Sequence, residues 1–152
     1  MFKKDDALEK FDQFLMIMDE QLDALTEEAA SRNIDLDFSL DSLSKLEGLF
    51  LIMSENIDKD KKNSLIVFFA RYLGEIVRTN YGGKWHLPLD DPKNVNFNTP
   101  VIVGHSTMEG LEFAPIGVMR GFSLRKRLGM LKTAIDADVS PIIIDLSGLL
   151  EE

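Results

Sequence analysis

The chain has 152 residues and no cysteine, which excludes disulfides, thiolate metal sites and cysteine redox chemistry. That absence suits a reducing cytoplasm, the location expected for it. Long apolar runs are also missing: those present, such as Pro141 to Ile144, fall far below the length needed to cross a membrane. The opening residues, Met1 to Ala7, place no apolar core behind Lys3 and Lys4, so no export signal is expected. Positive charge is scarce, with 17 Lys and Arg against 26 Asp and Glu, a net of −9. Such a balance argues against nucleic acid and anionic membrane as partners and makes a basic protein the natural complement.

The acid is concentrated at one end. Residues 1 to 60 hold 16 acids and 6 bases, whereas residues 61 to 152 hold 10 and 11. Arg120, Arg125, Lys126, Arg127 and Lys132 lie in a stretch without acid between Glu112 and Asp136. Intramolecular pairing with the acidic helices, or simple solvation, is the expected use of that cluster.

With 45% apolar residues the length suits a single α+β domain spanning 1–152, helical over about 1–81 and strand-containing over about 82–152. Leu8, Phe11, Leu15, Met18, Leu22, Leu25 and Ala29 recur at spacings of three and four, and Phe14 and Ile17 widen the stripe. This pattern predicts one helix from about Asp5 to Arg32, ended by Asn33. Ile34, Leu36 and Phe38 alternate as an extended link, after which Ser39 or Asp41 caps a second helix burying Leu43, Leu46, Leu49, Phe50 and Met53. The polar run Asp58 to Asn63 reads as an interruption. A third helix is expected from Asn63 or Ser64, burying Leu65, Phe68, Phe69, Tyr72, Leu73, Ile76 and Val77.

Beyond Gly82 and Gly83 the period changes to two. Trp85, Leu87 and Leu89 predict a half-buried strand, Val101 to Val103 a second, and Leu111 to Phe113 a third, forming a small antiparallel sheet. The Asp-, Pro- and Asn-rich segment 90–99 reads as a loop. Pro115 opens a short helix, and Ser123 is expected to cap another carrying Leu124, Leu128, Leu131 and Ile135. Pro141 to Leu146 reads as a strand or a segment lying across the core.

Few residues invite chemistry. Gly74 interrupts a helical pattern at a cost of about 1 kcal/mol relative to alanine, so close approach of another backbone is expected there. Glu75, between Arg71 and Arg78, is expected to be a surface ion pair or a helix-to-loop tie; the functional reading makes it a buried carboxylate holding Trp85, a backbone amide or a ligand. Gly82 and Gly83 follow a helix instead of preceding one, which suits a left-handed C-cap and not a phosphate loop. His86 and His105 lack metal-ligand spacing, and Ser106 lacks a nucleophile-elbow pattern, so no catalytic residue, metal or cofactor is assigned. The methionines read as core filler.

Ser42-Leu43 with Leu46, then Tyr72-Leu73-Gly74-Glu75 followed by Gly82-Gly83-Lys84-Trp85, resembles a diffuse group of small bacterial proteins with YLGE and GGxW motifs. Some of that group are similar to toxin-immunity proteins, and the resemblance implies no common enzymatic activity. It covers about residues 39 to 85. The leading expectation is a non-enzymatic binding module of immunity or inhibitor type that docks a basic protein. Its alternative is a small-molecule-binding domain or enzyme with a pocket lined by Tyr72, Glu75, Trp85 and His105. A third reading is an oligomeric scaffold joined through the first helix, so monomer and homodimer both stay open.

Overall fold

The computed structural model describes residues 2–139. Six helices and one antiparallel ribbon are formed among them: α1 (Lys4–Met16), α2 (Met18–Ala30), α3 (Ser42–Met53), α4 (Lys59–Tyr81), β1 (Lys84–His86), β2 (Val101–Val103), α5 (Pro115–Arg125) and α6 (Met130–Val139). The α+β organisation is as expected, with helices first, a small sheet in the middle and two helices after it. The segment Pro141 to Leu146 lies outside the described residues.

The central element is α4, which packs against α2, α3, α5 and β2. Its buried residues include Phe69, Tyr72, Leu73, Ile76 and Val77, all on the predicted face. The helix begins earlier than predicted. Asp58 caps it by accepting the Lys61 N–H at 2.8 Å, and the polar run taken for an interruption forms its first turns. A first turn facing water needs no apolar residue, so periodicity is silent there.

The predicted first helix is two helices. Ile17, at φ −96° and ψ 9°, separates α1 from α2. The last carbonyls of a helix lack partners within it. Here the Gln13 carbonyl takes the Ile17 N–H at 3.3 Å, and the Phe14 carbonyl takes the guanidinium of Arg71 from α4. Insertion of a side chain into the ladder is a recognised cause of such breaks. Asn33 ends α2 as expected, and does so in the left-handed region at φ 61°, with the Ile34 N–H returning to the Ala29 carbonyl at 2.9 Å.

Neither predicted cap of the next helix makes a capping bond. Asp41 occupies the position ahead of α3 without a side-chain hydrogen bond. Asp37 organises the turn instead: its Oδ1 accepts from the Ser39 N–H at 3.1 Å and from the hydroxyls of Ser39 and Ser42. Phe38, at φ 63°, is held in the left-handed region by α4. Its N–H donates to the Tyr72 hydroxyl at 3.0 Å, its carbonyl accepts from Asn80 Nδ2 at 2.9 Å, and its ring stacks on Tyr72 at 4.4 Å.

β1 and β2 pair with Trp85 opposite Ile102. The expected third strand is reduced to one bridge, in which Phe113 exchanges both main-chain bonds with Ile102. The loop between the strands is pinned by Glu112, which accepts from the side-chain amides of Asn94 and Asn96. Ser123 does not start a helix: it is buried within α5, which runs to Arg125, and Leu124 and Leu128 are 80% and 69% exposed. The start of α6 is held from a distance. Glu47, in α3 and 2% exposed, accepts the Gly129 N–H at 2.9 Å and the Leu131 N–H at 3.1 Å.

Candidate functional site

One face of α4 carries Arg71, Glu75 and Arg78 at helical spacing toward α1 and β1. Glu75 Oε2 accepts the indole N–H of Trp85 at 2.7 Å, and both carboxylate oxygens accept from Arg78 Nη1, at 3.0 and 2.9 Å. The indole lies against the helix because residue 74 is glycine. A Cβ there would stand 2.3 Å from Trp85 Cζ2, so the expected backbone approach is in fact an aromatic side chain, with Pro115 beside it.

Gly82 and Gly83 deliver the chain into β1 at φ 86° and 96°. A Cβ on Gly83 would meet the Val103 carbonyl oxygen at 2.6 Å, so that position requires glycine for conformation and for space.

Arg71 does not pair with Glu75. It turns the other way, is 6% exposed, and lies 3.9 Å from the Phe14 ring centroid while donating to the Phe14 carbonyl. Phe14 in turn meets Trp85 edge-on at 5.1 Å. Arg71, Phe14, Trp85, Glu75 and Arg78 thus form one connected cluster, joining the α1–α2 break to the start of the sheet. Burial lowers the pKa of the Arg71 guanidinium. Beside the cluster opens a cleft of about 440 Å³ lined by Lys10, Gln13, Phe14, Met16, Ile17 and Arg71.

The four residues proposed as pocket lining are only partly brought together. Glu75 and Trp85 touch each other. Tyr72 is fully buried on another face of α4, against Phe38, and burial raises its pKa. His105 is buried beside Phe113, with Nε2 on the Asp138 carboxylate of α6 and Nδ1 without a partner among the described residues. The register pairs His86 with Val101, at the opposite end of the ribbon from His105, and no group of three metal-ligating side chains occurs among the described residues. Ser106 accepts the Met108 N–H and takes no part in the His105–Asp138 pair.

Sequence reading missed Phe14 and Arg71 as site residues, since each looked like an ordinary stripe or ion-pair position. Only the contact between elements identifies them. No protein-family model, no curated protein and no solved structure matches the chain.

Proposed function

We propose that this chain is a non-enzymatic, cytoplasmic protein-binding module of immunity or inhibitor type, whose α1–α2 face docks a basic protein. The observation that carries the reading is unpaired acid. Asp5, Asp6, Glu9, Asp12, Asp19, Glu20, Asp23 and Glu27 are exposed, and among the described residues none of them forms an ion pair. The basic cluster does not neutralise them: of its five members, only Lys132 is paired among the described residues, with Asp136 at 2.8 Å. An acidic face of this kind repels itself, and a cationic partner relieves that repulsion.

Apolar surface accompanies the acids. Leu8, Leu15 and Ile17 are partly exposed and Met16 is 79% exposed, which suits a contact made by a few apolar anchors within a charged rim. No helix among the described residues is long and apolar enough to cross a membrane. The small-molecule reading has less support, because Glu75 already accepts from Trp85 and Arg78 and the four residues named for that pocket are dispersed.

The test is a pull-down from host lysate at low and moderate salt, using the wild type and the triple variant Asp12→Lys, Asp19→Lys, Asp23→Lys. A basic protein held by the wild type at low salt, and lost both at higher salt and in the variant, supports the reading. Equal retention by the variant, or an association rate indifferent to salt, overturns it. Light scattering addresses the scaffold alternative, which requires a dimer.

A further inference from the structure

Arg71 is the one buried arginine among the described residues, and its surroundings leave its charge incompletely answered. A guanidinium carries five N–H donors. One nitrogen, Nη1, is used, donating to the Phe14 carbonyl and lying 3.9 Å from Met18 Sδ. Among the described residues no carboxylate forms an ion pair with Arg71. The other guanidinium nitrogens have no hydrogen-bond partner there, and the residue lines the cleft.

A buried charge without a counterion is a costly arrangement. The Phe14 ring supplies only the weaker attraction of a π-face. Among the described residues the cleft is also free of acid, although the chain carries a net charge of −9. Lys10 and Gln13 add two nitrogen donors to its lining, and Phe14, Met16 and Ile17 add apolar surface. Its volume of about 440 Å³ is that of a small-molecule site.

We infer that this cleft binds a small organic monocarboxylate, with the carboxylate on Arg71 and Lys10 and a short apolar body against Phe14, Met16 and Ile17. A planar guanidinium matches a carboxylate through two parallel N–H donations, and the walls offer an inorganic anion nothing further. This site adjoins the docking face proposed above and shares Met16 and Ile17 with it, but takes its charge from Arg71 and Lys10 and not from the acids, so the titration below reads it separately from the pull-down.

The experiment titrates hexanoate, acetate and hexanamide separately into ¹⁵N-labelled wild-type protein. The signals followed are the Arg71 guanidinium, the Gln13 side-chain amide and the Ile17 backbone amide. Hexanoate is expected to give saturable shifts at all three. Acetate should bind more weakly, by about fourfold for each methylene that hexanoate buries. Hexanamide, equal in shape and uncharged, should bind at least about tenfold more weakly than hexanoate. Arg71→Gln is expected to abolish the hexanoate response. Where that variant fails to fold, the comparison of hexanoate with hexanamide on the wild type decides alone. Equal affinity for those two, or no saturable shift at Arg71 with hexanoate, overturns the inference.

Discussion

The indole of Trp85 occupies the space that a side chain at residue 74 would need, with Cζ2 and Cη2 2.3 and 2.4 Å from a Cβ built on Gly74. The YLGE and GGxW segments are therefore complementary parts of one contact. A helix without a side chain at one point receives the ring, and Glu75, the next residue, accepts its N–H. The helical cost of the glycine is set against this burial.

Gly74→Ala gains about 1 kcal/mol of helix propensity but forces the ring to move, and overpacking of this kind costs about 1 to 3 kcal/mol. Because the clash is severe, net destabilisation is expected. In a Trp85→Leu background the same substitution should become neutral or stabilising. Urea midpoints for the four proteins of this double-mutant cycle check the coupling, and additive effects would contradict it.

Glu47 holds two main-chain donors, Gly129 and Leu131, at the start of α6 from within the core. Glu47→Ala leaves them unmet, at a cost of about 2 to 3 kcal/mol, while Glu47→Gln keeps an acceptor and should cost about 1. Hydrogen exchange at Gly129 and Leu131 should accelerate in Glu47→Ala more than exchange in α4. Uniform acceleration across both helices would mean that Glu47 acts on the whole fold and not as the anchor of α6.

The legible parts of this fold were those written in local period. The buried faces of α3 and α4, the helix end at Asn33 and the double-glycine turn all follow from neighbours within a few residues. What stayed hidden was fixed from far away. The break at Ile17 coincides with the intrusion of Arg71, 57 residues from the carbonyl it takes, and the start of α6 is held by a glutamate over 80 residues earlier. Leu124 and Leu128 misled for a related reason: their spacing suggested a buried face, yet the chain turns at Lys126, φ 52°, and leaves both in solvent. At the candidate site, the Glu75–Trp85 tie was foreseen as one reading, whereas the Arg71–Phe14 pair required the packing of α1 on α4.

Asp37 gives a prediction in pH. Hydrogen bonds from the Ser39 and Ser42 hydroxyls, and from the Ser39 N–H, lower its pKa from 3.8 to about 2. A carboxyl group depressed by folding contributes stability that is fully present above its unfolded pKa and is lost as pH falls through the folded value. The contribution of Asp37 should therefore fade between about pH 4 and pH 2. Asp37→Asn is expected to be less stable than wild type at neutral pH, with the gap narrowing across that window. Thermal unfolding of both proteins from pH 5 to pH 2 measures it; a gap that stays constant over the window would assign the difference to geometry and not to charge.

Glu75 separates a structural tie from a ligand group most directly. Glu75→Gln keeps an oxygen that can accept the Trp85 N–H and loses mainly the charge shared with Arg78, whose side chain is 38% exposed. A partly exposed ion pair contributes little, so a loss of about 1 kcal/mol or less is expected. Glu75→Leu removes the acceptor and strands a buried indole N–H, which should cost about 1 to 3 kcal/mol. As the chain has one tryptophan, its emission reports the contact without a label. A changed spectrum in Glu75→Leu and a near-native one in Glu75→Gln, with melting temperatures in the same order, mark Glu75 as the tie that seats Trp85. A native melting temperature and spectrum in both variants would remove that role and return Glu75 to the list of groups available to a ligand.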